Sequence, residues 1–418
     1  MSKAHTRKSS MVAHPSKVIL RFPDFVAPVP YPLRVHRLTK SVSRESEEWL
    51  LSMAEFSPKQ RSKFLSLNAG LLSGMCYIDC GYEEARVCAD FMNFLFTLDD
   101  WSDEFDTTGT RGLAECVMNT LYHPSTYLSN AKASKLTKSF WDRMIKTAGP
   151  RCQQRLMSTL DTYFQAIMQQ ASDRGHKNIP DLDEYITLRR DTSGCKTGFA
   201  FIEYAGGIDL PDEVADHPII SALADTTNDL VSWANDVLSY NAEQARGDTH
   251  NLVCVLMQAY GVDRQGAINL AGELWKQTLD YFMATKETVP SWGPEIDRQV
   301  AIYIKGFEDW IIANAEWSFE TERYFGKDGH LVRKTRQVEL LPLRRKATFV
   351  HLSDDSLMLI TIQFVLFDLA VEIMASRGPR WLPKLFALIL WRSGGYITIH
   401  EDAGENTVSF AVMPRALV

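Results

Sequence analysis

FMNFLFTLDDWSDEFD, from Phe91 to Asp106, decides how the rest of the chain is read. It closes an apolar helical run, GYEEARVCADFMNFLFTL, and delivers a packed group of carboxylates at its end. Cys88, Met92, Leu95 and Asp99 fall on one face by the three-and-four rule, and Asp103 and Asp106 continue that face. Helix stability does not select this arrangement, because anions near a helix C-terminus oppose the macrodipole by about 0.3–1 kcal/mol each. Read alone, the cluster fits either a hard cation held by oxygen ligands or a solvated acidic loop after a core helix.

A second cluster, NDVLSYNAE, shifts that balance toward the cation. Asn235, Ser239 and Glu243 recur every four residues and stack along one helix face. An amide carbonyl, a hydroxyl and a carboxylate make an all-oxygen chelate of the kind magnesium prefers. By itself the triple also fits a plain polar helix face. Asn241 lies about 240° round the helix from Asn235, so it is expected to point away from the ion and to be dispensable.

Two arginine sites accompany the clusters. In TLRRDTSG, Arg189 and Arg190 precede a Thr-Ser-Gly break, and in WSFETERYF, Arg323 and Tyr324 close the last long helical segment. The planar guanidinium fork suits phosphate oxygens, although any single arginine also fits a surface ion pair.

Whole-chain totals exclude several classes. With 418 residues, 45% hydrophobic and 23% charged, the chain can bury a large core and is not a disordered protein. A formal net charge of −7 leaves no basic surplus for a nucleic-acid backbone. The 7 cysteines are scattered; Cys76 and Cys80 sit a helical turn apart, but no second pair or nearby histidine completes a zinc site. Reduced thiols in a cytoplasmic protein are the expectation. The N-terminus lacks the apolar run of a secretory signal, and no phosphate-cradling loop, nucleophile elbow or dinucleotide fingerprint occurs.

Along the chain, residues 1–40 read as a disordered or extended segment, with the proline-punctuated RFPDFVAPVPYPLRVH lying across a domain surface. Residues 41–343 read as a single helical domain. Pro180-Asp181 opens a helical segment that closes at Gly206-Gly207. Asp216 and Pro218 open another that reaches Gly247, and Pro294-Glu295 a third that stops at Gly326. No internal repeat suggests a solenoid. Residues 344–418 read as an atypical extension of unknown role. Their apolar runs fall short of the roughly 20 residues of a spanning helix, and YITIHEDAGENTVSFAVMP hints at a hairpin around Glu405-Asn406.

Taken together, DDWSD (Asp99 to Asp103), Arg189, NDVLSYNAE and the Arg323-Tyr324 pair resemble a class I terpene synthase, most closely the basidiomycete-type sesquiterpene cyclases of fungi. The resemblance runs from about residue 18 to 343. One departure is Ala242, where the broad pattern often has a basic residue before the glutamate.

The resemblance implies an all-α bundle around an apolar cavity, with three Mg2+ ions and the substrate diphosphate at its mouth. It implies Asp99 as first-motif ligand with Asp100 and Asp103 in support, and Asn235, Ser239 and Glu243 around another ion. Arg189 would sense the diphosphate, with Arg190 the alternative because the doublet leaves the register open by one. Arg323 and Tyr324 would donate to the diphosphate once the site closes. The implied activity is ionisation and cyclisation of farnesyl diphosphate.

Carbon–oxygen ionisation needs the growing diphosphate charge neutralised, and the allylic cation needs shelter from water. Aromatic faces can stabilise such a cation by about 0.5–2 kcal/mol each. Phe96 and Trp317 read equally as lining or core, and Trp310 as core. The competing readings are a trans-prenyltransferase-like enzyme and a non-catalytic helical protein that retains the motifs. The first normally carries a second aspartate-rich motif where this chain has Asn235 and Ser239. A protonating DxDD acid is absent, since DLDE at Asp181 to Glu184 lacks the last aspartate.

Overall fold

The computed structural model describes residues 17–343 apart from 106, 177 and 178, together with the backbone at 396–401 and 408–413. Its elements run β1 (Ile19–Arg21), α1 (Thr39–Ala54), α2 (Pro58–Leu67), α3 (Ala69–Cys76), α4 (Tyr82–Glu104), α5 (Thr107–Tyr122), α6 (Lys132–Met144), α7 (Pro150–His176) and α8 (Leu182–Thr192). They continue with α9 (Cys195–Gly206), α10 (Asp212–Ala215), α11 (Pro218–Arg246), α12 (Leu252–Tyr260), α13 (Arg264–Lys286), α14 (Pro294–Glu320), α15 (Glu322–Phe325), a short 3-10 turn (Gly326–Asp328), α16 (Gly329–Thr335) and β2 (Gln337–Glu339). The fold is all-α, as expected. Compact packing divides the chain into Met1–Arg344 and Arg345–Val418. In the second unit β3 (Tyr396–Glu401) pairs antiparallel with β4 (Val408–Met413), so the hinted hairpin is present.

The punctuation in the sequence sets the helix ends. Asp181 caps α8 in a reciprocal capping box with Glu184. α11 starts on Pro218 behind the His217 cap and stops at Gly247, whose φ of 78° is left-handed. α14 likewise starts on Pro294. α4 carries Glu83 and Glu84 in its first turn, where anions suit the dipole. Its buried stripe of Val87, Cys88, Phe91, Met92, Phe94 and Leu98 faces the core, and Phe91 stacks on Phe201 of α9 at 4.2 Å between ring centroids.

α11 is the central column. It packs against α13 and α14 and also touches α8, α9 and α12, so burial runs almost all the way round it. Trp275 of α13 donates its indole N–H to the Leu230 carbonyl at 2.8 Å.

Residues 17–38 are largely extended, and they also contribute Leu20, Phe22 and Phe25 to the main core. β1 pairs antiparallel with β2, Leu20 opposite Val338. From Gly326 the chain forms a 3-10 turn, a short helix and a strand. Among the described residues no helix is long and apolar enough to cross a membrane.

Candidate active site

One break in the helical pattern shapes the mouth of the bundle. α8 ends at Thr192 and α9 begins at Cys195, with Gly194 at a φ of 73° between them. That left-handed backbone favours glycine. α11 sews the break shut: Asn228 donates to the Arg190 carbonyl at 2.7 Å and accepts from the Ser193 hydroxyl at 2.8 Å.

The break opens onto a cavity of about 170 Å3. Leu72, Met92, Leu95 and Phe96 line one wall; Val231, Ser232, Asn235 and Glu243 of α11 line the facing one. Trp310, Asn314 and Trp317 of α14 line it as well. All three aromatic candidates therefore border the cavity. Trp310 is at once core and lining, being buried and held edge-on by Tyr77 and Phe199.

Charged groups gather at one end. Arg189 donates Nη2 to the Asn235 amide oxygen at 2.9 Å, and Asn235 donates Nδ2 to the Tyr324 hydroxyl at 2.6 Å. Arg323 reaches across to Asp99 at 3.5 Å, its guanidinium 5.4 Å from the Phe96 ring centroid. Burial opposes the Arg323 charge, but Tyr324, Asp99, Asp100 and Glu243 together hold it above its ordinary value. Ser239 is buried, its hydroxyl donating to the Asp236 carbonyl at 3.4 Å, and it is not among the residues that line the cavity.

Not every candidate converges. Arg190 turns away to Asp229 at 2.6 Å and Asp225 at 3.1 Å and does not line the cavity. Asp100 also lies outside the lining and pairs with Lys63 at 2.7 Å. Asp106 and the Asp103 side chain fall outside the described residues.

Asp236 is the residue the sequence reading missed. Buried beside Asn235, it accepts from Arg189 Nε at 3.0 Å, from the Leu252 amide at 3.2 Å and from the Tyr185 hydroxyl. It thereby aims the Arg189 fork at Asn235 and the cavity. Asn251, the cap of α12, donates to Glu243 at 2.9 Å and to the Asp236 carbonyl at 2.7 Å. The cap signal, an asparagine before LVCVLM, was visible in the sequence.

Asn235, Ser239 and Glu243 are hard oxygen donors on one face, so they fit a divalent cation such as magnesium. Burial, reinforced by Asp236 and Asp248, pushes the Glu243 carboxyl up to about 7. A cation would relieve that crowding of negative charge. Among the described residues no three His, Cys, Asp or Glu side chains gather to hold an ion on their own. This set differs in kind, with a single carboxylate and two neutral oxygens.

Residues 90–280 match the family model described as terpene synthase family 2, C-terminal metal binding. Sesquiterpene synthase 3 of Postia placenta is 63% identical over 325 residues, covering 78% of this chain and 89% of that protein. The chain belongs to the class I terpene synthases, among the fungal sesquiterpene cyclases. Alpha-muurolene synthase of Coprinopsis cinerea is 44% identical over 344 residues, covering 80% of this chain and 81% of its own length.

The fold agrees with solved synthases. A cucumene synthase variant gives a TM-score of 0.63 at 23% identity, covering 70% of this chain and 99% of that one. Germacradien-4-ol synthase of Streptomyces citricolor gives 0.61 at 22%, covering 69% and 96%. The terpene synthase thus cyclises a prenyl diphosphate and uses a divalent metal, in keeping with the family it matches.

Proposed function

We propose that this synthase ionises farnesyl diphosphate with magnesium, cyclises the fifteen-carbon cation and releases diphosphate. The observation that carries the reading is convergence: Asp99 from one wall and Asn235 and Glu243 from the other meet Arg189, Arg323 and Tyr324 at one end of a single cavity. Asn235, Ser239 and Glu243 would hold one ion and Asp99 others, up to the three that the family resemblance implies. Asp100 would join only by releasing Lys63, and Asp103 is kept as the supporting ligand that the resemblance implies. When bound, the metal withdraws charge from the diphosphate oxygens.

The chain's own groups do the rest. Arg189, held by Asp236, offers its fork to the diphosphate, while Arg190 is taken up by Asp225 and Asp229. Arg323 and Tyr324 donate as charge develops on the leaving oxygen. Phe96, Trp310 and Trp317 present ring faces or edges along the cavity, where a passing cation gains stabilisation and water is excluded. The activity is assigned to residues 41–343 with the β1 segment packed against them, and the 344–418 extension to no chemical step.

The test is incubation of purified protein with magnesium and prenyl diphosphates of ten, fifteen and twenty carbons, with volatiles separated by gas chromatography and identified by mass. A cyclic C15 hydrocarbon or alcohol is expected. A longer linear diphosphate formed from added isopentenyl diphosphate would contradict the reading.

A further inference from the structure

Asn241 is not the idle residue its helical phase suggests. It is buried on the far side of α11 and donates Nδ2 to the Glu339 carbonyl at 2.9 Å. Its Oδ1 accepts from the Leu341 amide at 2.8 Å. One turn on, Gln244 donates to the Leu341 carbonyl at 2.8 Å. Two side chains thus satisfy three backbone groups of a segment that ends the described part of this unit. These bonds fix residues 339–341 against α11.

That segment continues from Arg323 and Tyr324. Between them and β2 Gly329 and Val332 are buried, and the rest of the chain is held by individual contacts. Phe325 stacks on Phe319 at 5.9 Å, and Gly329 lies so close to the Phe319 carbonyl that a Cβ there would sit 2.2 Å from the oxygen. Arg333 pairs with Glu316 at 2.5 Å, Arg336 pairs with Asp24, and β2 is zipped to β1. These contacts tie the segment to α14, to Asp24 and to β1 along its length. α11 grips it twice, through Asn235 on Tyr324 and through Asn241 and Gln244 on residues 339–341.

We infer that Asn241 and Gln244 are positioning residues that set the Arg323–Tyr324 pair against the metal-bearing face of the same helix, by anchoring the strap that follows the pair. The inference rests on the proposed diphosphate site. One face of α11 would bind the ion, and the opposite face would hold the strap carrying the diphosphate donors in register with it.

The test is a double-mutant cycle read by calorimetric binding of inorganic diphosphate in saturating magnesium, with melting temperature and circular dichroism recorded for each protein. Asn241→Ala is expected to weaken diphosphate binding roughly tenfold in the wild-type background and to have almost no further effect in Arg323→Ala. Gln244→Ala, which loses one hydrogen bond, should move the affinity the same way by less, and it carries the same cycle if Asn241→Ala does not fold. A structural fastener alone would lower the melting temperature and leave affinity unchanged. Unchanged affinity, or the same weakening factor in both backgrounds, overturns the inference. Failure of the wild-type protein to bind magnesium diphosphate would instead overturn the proposed function, and the inference with it.

Discussion

The Asn235 side chain donates to the Tyr324 hydroxyl at 2.6 Å, joining α11 to α15 and so the proposed metal-bearing face to the proposed diphosphate donors. This bond fixes which way the amide faces, because its oxygen is left to Arg189 and to an incoming cation. Tyr324→Phe keeps the ring, which packs edge-on against Trp317 at 6.1 Å, and removes only the hydroxyl. We expect kcat/KM to fall about tenfold, with a higher magnesium requirement, in steady-state assays of diphosphate release. Unaltered magnesium dependence would show that the contact orients nothing.

Product choice is expected to depend on Gly198. A Cβ at this position would lie 2.5 Å from Cζ2 of Trp310, a ring that cannot flex away. The Tyr77 hydroxyl bonds the Gly198 carbonyl at 2.8 Å, so the backbone cannot easily yield either. Gly198→Ala should therefore displace the indole in the cavity. Gas chromatography should show a changed ratio of terpene products, with diphosphate release reduced less than tenfold. An identical product profile would mean that the indole does not shape the reacting chain.

The long helices were legible in the sequence because their boundaries are chemical. Pro218 and Gly247 bracket α11, Asp181 caps α8, and the periodic stripe from Cys88 to Asp99 announces α4. The role of Asn241 was not legible. Helical phase tells which face a residue occupies, not whether that face meets water or another segment, and α11 is covered on almost every side. The pairing of Ile19–Arg21 with Gln337–Glu339 was hidden for a related reason: three residues from each end of the domain carry no alternation to read. Asp236 carries no signal in the i, i+4, i+8 pattern of donors, because it holds Arg189 from the adjacent face.

Acid should weaken metal binding through Glu243. Burial, then Asp236 and Asp248, raise its carboxyl from 4.5 to about 7. In metal-free protein such a raised group contributes stability that is complete below its unfolded value and lost as pH rises through 7. The metal-free melting temperature should therefore drop as pH rises from about 4.5 to 7 and level off above that. Magnesium competes with the same proton, so its affinity should fall up to about tenfold per pH unit below 7 and level off above it. Calorimetry across that range checks both signs. Glu243→Gln should flatten both profiles, and a profile that survives the substitution would assign the proton elsewhere.

Truncation separates the two units. Ending the chain after Leu343 should leave turnover and melting temperature near those of the full chain, since the described core closes within Met1–Arg344. Removing residues 1–40 should unfold or strongly destabilise the enzyme, because Leu20, Phe22 and Phe25 leave the core with them; each large apolar side chain contributes about 1.5–3 kcal/mol. Circular dichroism with thermal melting distinguishes these outcomes. Loss of turnover in a folded chain ending at Leu343 would place the extension within the working enzyme.

The central claim, that α11 presents a magnesium site to the diphosphate, is tested most directly by titrating magnesium against diphosphate release for wild type, Glu243→Gln and the exposed α13 control Gln277→Ala. The substitution at Glu243 keeps the shape and removes one negative charge from the ligand set. The account predicts that Glu243→Gln shifts half-saturation to at least tenfold higher magnesium, while Gln277→Ala overlays the wild type. Superimposable curves for all three proteins would contradict it, leaving Asn235, Ser239 and Glu243 as a polar helix face with no ion to hold.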